Sequence, residues 1–215
     1  MRIDIFSDTI CPWCFIGKRR LERALEDHTG AEDLEIHWRA FQLNPEMPQA
    51  GMDRRLYLET KFGTPRNAAA IYDRVASAGA EEGIAFNFGG IARTPNTIQS
   101  HRLLRFADEQ GRQDAVAEAL FQAYFLKGRD IGDDRVLAAA AAEGGLDEGQ
   151  TLQFLEGDVY RQEVQAEDMQ ARQAGITGVP CFIFNGKYAL PGAQPPEVIR
   201  RMLDTAEQEF AAQPG

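Results

Sequence analysis

A four-residue segment near the amino terminus, Cys11-Pro12-Trp13-Cys14, constrains this chain more than any other. It follows a short apolar run, Arg2 to Phe6, which predicts a strand, and it opens a pattern typical of a helix. Pro12 suits the first helical position, because the N–H group that it lacks would have no intrahelical partner there. Cys11 is then the expected N-cap, and Cys14 lies three residues on, about one helical turn away. The segment therefore predicts a strand, a tight turn and a helix with two thiols at its amino end.

This placement favours ionisation of the first thiol. The N–H groups of Trp13 and Cys14 are expected to point toward the Cys11 sulfur, where the helix dipole adds positive potential. Both effects stabilise a thiolate. Cys14 shares a helical face with Gly17 and Leu21, and this face is expected to pack on a sheet, whereas Cys11 is expected at an exposed tip. The pattern indicates thiol–disulfide exchange, with Cys11 as the attacking thiol and Cys14 as the buried resolving thiol.

A C-x-x-C pair is also a common half of a zinc site, so the remaining ligands matter. Structural zinc takes four ligands, and one further cysteine, Cys181, is present in this chain. The histidines show no paired spacing; they are His28, His37 and His101. A static structural disulfide across so short a loop would stabilise the fold little. We therefore predict no metal site and favour a redox pair that cycles.

Charge and hydropathy exclude several classes of partner. The 33 acidic and 23 basic residues give a formal net charge of −10, which argues against nucleic acid or an anionic membrane as partner. No signal-peptide pattern is visible, and no apolar stretch approaches the roughly 20 residues that span a bilayer. These features predict a cytoplasmic protein, in a compartment that keeps thiols reduced. The densest basic cluster, Lys18-Arg19-Arg20 with Arg23, is expected on the solvated outer side of the first helix.

Strand and helix patterns divide the chain into three parts. Residues 1–51 show a β-α-β pattern, residues 52–175 are almost wholly helical in pattern, and residues 176–215 show a β-β-α pattern. Asn185-Gly186 between two apolar runs predicts a tight hairpin in the last part. The predicted helices of the middle part are 53–62, 66–82, 96–110, 113–126, 133–143, 148–156 and 159–174. This order predicts an α/β fold in which an all-helical domain, 52–175, is inserted between two halves of a sheet domain.

Together these features resemble the DsbA family of thioredoxin-fold oxidoreductases, and more narrowly its cytoplasmic FrnE-like branch. The resemblance runs nearly the full length of the chain. The segments that carry it, in order, are Ser7 to Gly17, Asn96-Thr97 with His101-Arg102, Leu120-Phe121 with Ala123-Tyr124-Phe125, Asp130-Ile131, Gly175 to Pro180, and Gly192-Ala193-Gln194. It implies a thioredoxin-like fold, with a large helical domain inserted between the β-α-β and β-β-α halves.

The resemblance also implies a site around the two cysteines. Val179-Pro180 is expected to be a cis peptide beside them, leaving the main chain of Val179 to bind an extended substrate or a glutathione backbone. The alternative is that Pro180 merely begins an edge strand. Pro12 and Trp13 support the active site from within the motif, and the Trp13 ring is expected to lie exposed beside the reactive sulfur.

Three further residues carry weaker expectations. The resemblance implies that Asn96 and His101 lie over the active-site cleft as substrate contacts, although a helix cap explains Asn96 equally well and a lone histidine is more often structural. Cys181 stands where the family usually has another residue. It is either a small buried side chain of a core strand or a third thiol able to form an alternative disulfide with Cys11.

The sequence thus predicts an enzyme that exchanges disulfides with protein disulfides or dithiols or with glutathione, with the reductase or isomerase direction favoured. The predicted enzyme requires no cofactor, and glutathione can serve as its redox partner or co-substrate. The sequence does not specify an oligomeric state. The alternative is a glutathione-dependent isomerase or transferase, like the related 2-hydroxychromene-2-carboxylate isomerase and kappa-class glutathione transferase. Those enzymes need no resolving thiol, so Cys14 discriminates between the two. A non-enzymatic partner-binding module would retain its activity after Cys11→Ser.

Overall fold

A computed structural model describes residues 1–26 and 28–211 of the chain. Residue 27, which the predicted extension of the first helix toward His28 would cross, and residues 212–215 of the predicted 176–215 segment lie outside it. The elements in chain order are β1 (Arg2–Ser7), α1 (Pro12–Leu25), β2 (Glu35–Ala40), β3 (Met52–Asp53), α2 (Arg54–Phe62), α3 (Pro65–Glu81), β4 (Arg93–Thr94), α4 (Ile98–Asp108), α5 (Gln113–Phe121), α6 (Asp134–Glu143), α7 (Glu148–Glu156), α8 (Arg161–Gln173), β5 (Cys181–Phe184), β6 (Tyr188–Pro191) and α9 (Pro196–Ala211).

Four strands form the main sheet, in the order β2-β1-β5-β6. β1 and β2 are parallel, as the β-α-β pattern predicts, because α1 carries the chain back to the starting edge. β5 pairs antiparallel with both β1 and β6. The β5–β6 hairpin turns at Asn185 and Gly186, and both have positive φ, which the tight turn requires.

The two faces of this sheet differ in what covers them. Ile5 pairs with Phe182 and Ile3 pairs with Phe184, and all four side chains are fully buried on one face. α1 and α9 pack together and cover that closed face. The opposite, open face carries the rows Phe6–Cys181–Pro191 and Asp4–Ile183–Ala189. α8 covers this face over β2 and leaves a groove beside it.

The helical segment between β2 and β5 packs on the sheet without a break in the core. One hydrophobic cluster includes Ile5 and Phe182 of the sheet together with Phe121 of α5 and Leu137 of α6. The chain has the predicted fold, a thioredoxin-like sheet interrupted by helices, and the division into domains at 51/52 and 175/176 stays a prediction. No helix among the described residues combines the length and apolarity that crossing a membrane requires.

Most helices begin and end within two residues of their predicted bounds. α2 begins at Arg54 because the Asp53 side chain accepts a hydrogen bond from the Leu56 N–H and caps the helix. α5 continues as a π-helical turn from Gln122 to Leu126. The sequence patterns missed the short ribbon of β3 and β4, because two-residue strands carry no periodicity.

Candidate active site

The Cys11–Cys14 turn lies between the end of β1 and the body of α1. Cys11 is the N-cap, with an extended backbone (φ −92°, ψ 112°), and Pro12 occupies the first helical turn. The Cys11 N–H donates to the Asp8 carbonyl (2.9 Å), and the Cys14 N–H donates to the Cys11 carbonyl (3.0 Å). These bonds hold both cysteines in one tight turn, as the motif predicts.

The Cys11 side chain differs from the prediction in two ways. It is 4% exposed and therefore does not stand at an exposed tip. Its Sγ atom makes no capping bond with a helix N–H group, because the Cys14 N–H is already bonded to a carbonyl. Instead the thiol donates to the main-chain carbonyl of Val179, 3.5 Å away. The segment that precedes β5 covers the sulfur, which sequence periodicity could not show.

Cys14 is 1% exposed and belongs to the hydrophobic core. Burial raises the pKa of the Cys14 thiol well above its ordinary value, and the neighbouring Cys11 sulfur raises it further. The hydroxyl of Ser7 and the backbone of Asp8 oppose that rise. Cys14 is therefore a protonated thiol at neutral pH, and it has the buried position expected of the second thiol.

Pro180 lies against α1 on the other side of the cysteine turn. The Val179–Pro180 peptide bond is cis. A Cβ atom on Gly17 would lie 2.9 Å from Pro180 Cγ and 3.3 Å from Phe182 Cζ, so glycine is required for this approach. Trp13, in contrast, is 38% exposed within the motif, as predicted. The site thus has a packed side at Gly17 and an open side at Trp13.

Cys181 follows Pro180 directly but lies on the open face of the sheet. Its side chain lines a groove of about 1020 Å³ together with Val179, Pro180 and Ile183. The residue is buried, and this burial raises the pKa of its thiol. Cys11, Cys14 and Cys181 are all free thiols in the structure. The role of Cys181 as a third redox thiol stays a prediction.

Asn96 and His101, the predicted substrate contacts, both face internal partners. The Asn96 side chain donates to the Met47 carbonyl (2.7 Å) and accepts from the Ile98 N–H (3.0 Å) at the start of α4, whose N-cap is Thr97 and not Asn96. His101 is 3% exposed, and its Nε2 atom lies 3.6 Å from Asp8 Oδ1. Internal hydrogen bonds therefore fix Asn96, whereas His101 Nε2 and Asp8 Oδ1 are buried without a hydrogen-bond partner among the described residues. Direct contact with substrate stays a prediction for both Asn96 and His101.

Sequence reasoning assigned no role to the loop between β1 and the motif. Asp8 is fully buried, and its Oδ2 atom accepts a hydrogen bond from the Leu43 N–H (2.7 Å). Thr9 and Ser100 share a buried hydroxyl–hydroxyl bond of 2.7 Å. The active-site loop is therefore attached to α4 and to the segment after β2. The sequence feature that could have indicated this attachment is the polar pair Asp8-Thr9, which lies between two apolar segments.

Within the part of the chain that the structure describes, no three His, Cys, Asp or Glu side chains are grouped so that they could hold a metal ion. The side chains at the motif are two thiols, a proline ring and an indole, with the Val179 carbonyl beside them. Such an arrangement can form and break sulfur–sulfur bonds.

Comparison with known proteins places the chain in a family. The model of the DSBA-like thioredoxin domain matches residues 2–204. The crystal structure of the probable DsbA oxidoreductase SCO1869 from Streptomyces coelicolor superimposes with a TM-score of 0.87 at 34% identity, over 97% of this chain and 91% of that one. Two structures share the fold at lower identity. Cytosolic disulfide reductase DsbM from Pseudomonas aeruginosa, solved with glutathione, has a TM-score of 0.66 at 18% identity (97% and 100% covered). A 2-hydroxychromene-2-carboxylate isomerase has a TM-score of 0.70 at 15% identity (100% of both).

The family model covers residues 2–204, a range that includes the cysteine turn, the thioredoxin-like sheet and the helical segment. The resemblance drawn from the motifs is confirmed, and the chain belongs to the DSBA-like thioredoxin domain family.

Proposed function

We propose that this protein catalyses thiol–disulfide exchange through Cys11 and Cys14. The observation that carries the proposal is the asymmetry of the pair. Cys11 is at the start of α1, and its Sγ atom lies 3.5 Å from the Val179 carbonyl oxygen. Cys14 is buried one turn into the helix. The attacking thiol belongs at the helix amino terminus, where the dipole favours the thiolate, and the resolving thiol needs to be near it and shielded from other disulfides.

The reaction is a pair of exchanges. The Cys11 thiolate attacks a substrate disulfide, forms a Cys11–substrate disulfide and releases one substrate thiolate. Cys14 then attacks Cys11 Sγ, forms the Cys11–Cys14 disulfide and releases the second substrate sulfur, which takes up the proton that Cys14 loses. The reduced protein is the electron donor, so two thiols are oxidised as one substrate disulfide is reduced. The reverse sequence oxidises a dithiol.

The substrate proposed for this exchange is a protein disulfide or glutathione disulfide. An extended chain that binds at Val179 would compete for the carbonyl that now accepts the Cys11 thiol proton. The exposed ring of Trp13 adds apolar contact beside the sulfur. The similarity to DsbM, a cytosolic reductase solved with glutathione, supports the reductase direction and a glutathione partner. A cytoplasmic location stays a prediction.

The experiment is reduction of insulin disulfides by dithiothreitol with catalytic amounts of protein. Wild type is expected to accelerate the reaction, and Cys11→Ser and Cys14→Ser are each expected to abolish the acceleration. Cys181→Ser is the matched control, since it removes a buried thiol outside the motif. A glutathione-buffer titration of the active protein then gives its reduction potential and direction. Equal activity of wild type and Cys11→Ser would refute the proposal.

The glutathione-dependent isomerase or transferase remains the second candidate, supported by the shared fold of 2-hydroxychromene-2-carboxylate isomerase. The buried Cys14 beside Cys11 favours exchange, because single-thiol chemistry needs no resolving thiol. Cys14→Ser separates the candidates: it stops a dithiol cycle and leaves a glutathione-dependent isomerisation or transfer running.

A further inference from the structure

Arg54, at the start of α2, is a buried cation. It is 9% exposed. Its Nη1 atom donates to Thr94 Oγ1 (3.0 Å) and to the Tyr124 hydroxyl (3.5 Å), and its Nη2 atom donates to the Tyr72 hydroxyl (2.5 Å). The guanidinium also faces the Tyr57 and Tyr72 rings, 5.5 and 5.3 Å from their centroids. All of these partners are neutral.

No carboxylate of the described residues forms an ion pair with Arg54. Arginine is almost never this buried unless its charge is paired. Arg102, the other buried arginine, shows how the chain satisfies such a group: it donates to the carbonyls of Val159, Phe154 and Gly157, around the end of α7, where the helix dipole is negative. Arg54 has no such carbonyls, so its charge is not balanced within the described chain.

Arg54 also retains free donors. A guanidinium carries five N–H groups, and the hydroxyls of Thr94, Tyr124 and Tyr72 leave the Nε–H and one Nη2 hydrogen without an acceptor among the described residues. Two N–H groups on one planar cation match the two oxygens of a carboxylate.

The site of this free cation adjoins the cysteine turn. Tyr72 belongs to α3, which packs on α1. Burial raises the pKa of the Tyr72 hydroxyl, the Arg54 guanidinium opposes this rise, and negative charge on Cys11 adds to it. A chain of contacts joins the two regions: Cys11 bonds to Asp8, and Asp8 bonds to Leu43. The residue after Leu43, Asn44, accepts from the Tyr57 hydroxyl, and the Tyr57 ring faces Arg54.

A second free donor lies on the same side. The Asp8 carboxylate of the active-site loop accepts from the Leu43 N–H, and the next residue is Asn44. Asn44 Oδ1 accepts from the Tyr57 hydroxyl (3.2 Å), while its Nδ2 atom is buried without a hydrogen-bond partner among the described residues. Asn44 and Tyr72 are partly exposed, so the cluster lies near the protein surface.

We infer that Arg54, assisted by Asn44 and Tyr72, binds a carboxylate group of the disulfide that Cys11 attacks. The inference rests on the proposed exchange reaction and narrows its substrates to low-molecular-weight disulfides with a carboxylate near the sulfur. A protein with a net charge of −10 repels anions at long range. A buried cation joined to the active-site loop through Asn44 reverses that repulsion locally, because electrostatic attraction is stronger where water is excluded.

The test compares two disulfides of equal chain length. Dithiodiglycolate ends in carboxylates, and bis(hydroxyethyl) disulfide ends in neutral hydroxyls. Each is mixed with pre-reduced protein in a single turnover, in which the Cys11 and Cys14 thiols are oxidised to one disulfide and the probe is reduced to two thiols. Arg54→Gln is expected to lower the rate constant for dithiodiglycolate about 10- to 100-fold, the range of a charged hydrogen bond, and that for the neutral probe less than about twofold.

Two variants control for charge and position. Arg54→Lys keeps the charge without the two-pronged geometry and is expected to recover part of the loss. Arg55→Gln removes the same charge from the next, exposed residue and is expected to change either rate less than about twofold. Equal loss on both probes in Arg54→Gln would show that Arg54 only supports the fold, and would overturn the inference.

A binding measurement is independent of redox chemistry and of how well the variants fold. Thiodiglycolate is a thioether dicarboxylate that cannot be reduced, and thiodiethanol is its neutral counterpart. Calorimetry with the wild-type protein is expected to show binding of the first and none of the second. Thiodiglycolate binding without exchange in any assay would refute the proposed function and leave the carboxylate site standing. No binding, with insulin reduction intact, would overturn the site alone.

Discussion

The two faces of the main sheet are formed by the same strands, but one is packed under helices and the other borders a groove. On the closed face, Phe182 is fully buried beneath α1 and α9, and the helix that carries Cys14 rests on it. On the open face, the next residue, Ile183, is half-buried and lines the groove of about 1020 Å³. Cys181 belongs to the open face, although it is one residue from Pro180. Alternation along β5 therefore places Phe182 in the packed core and Cys181 beside the groove.

The largest expected difference between the faces is in stability. Phe182→Ala should lower the free energy of unfolding by about 3–5 kcal/mol, because it opens a cavity under α1. Ile183→Ala, on the groove, should lower it by only about 1 kcal/mol, because the site is already half open to water. Urea denaturation followed by circular dichroism measures both. Equal losses would show that the groove is packed in solution and would end the contrast.

Two glycines beside Pro180 differ in how closely they are packed. Gly17→Ala should lower the free energy of unfolding by about 1–3 kcal/mol, because the added Cβ atom would overlap Pro180 and press on Phe182. Gly178→Ala is the matched control, since a Cβ atom there meets nothing within 4 Å and the residue is not in the left-handed region. The control should change stability by less than about 0.5 kcal/mol. Thermal melts of both variants would contradict the close approach of α1 if their midpoints agreed.

The reactivity of the two buried thiols, Cys14 and Cys181, should depend on pH in the same way. Burial raises the pKa of Cys14 and that of Cys181 above the value of 9.0 taken for a free thiol. In Cys11→Ser, iodoacetamide should therefore modify neither thiol at a useful rate at neutral pH, and more rapidly as the pH rises above 9.0.

The raised pKa values of Cys14 and Cys181 also make the stability of the protein depend on pH. The unfolded thiols ionise first as the pH rises, so the free energy of unfolding should be constant below their pKa and fall above it. Mass spectrometry of labelled peptides resolves the two sites. Rapid labelling of Cys14 at neutral pH would mean that the first turn of α1 opens in solution.

The smallest effect is expected at Cys181. Cys181→Ala removes a sulfur atom at the edge of the groove, so stability should fall by about 1 kcal/mol or less, and the rate of insulin reduction should stay within about twofold. Oxidation followed by non-reducing peptide mapping tests the third-thiol hypothesis directly. A Cys11–Cys181 disulfide in the wild-type protein would show that the two faces communicate around Pro180.

The basic residues of α1 show where sequence patterns reach their limit. The cluster at 18–20 was expected on a solvated surface, and this prediction is wrong. Lys18 is buried and pairs with Glu22 of its own helix and with Asp114, 96 residues away, while Arg19 pairs with Glu118. Charge patterning along one helix identifies the cations. It does not show that carboxylates of α5 pair with Lys18 and Arg19 in the folded protein.

The local features of this protein follow directly from its amino-acid sequence. Periodicity, the Asn185-Gly186 turn and the position of Pro12 specify strands, hairpin and helix start, because each depends on neighbours a few residues apart. The same is true of the two thiols in one turn. Two features appear only in the folded chain: the Val179 carbonyl covers Cys11, and Arg54 is buried among hydroxyl groups with no carboxylate partner in the described part of the chain. Those contacts join segments far apart in the chain, and their strength depends on burial, which a linear pattern does not contain.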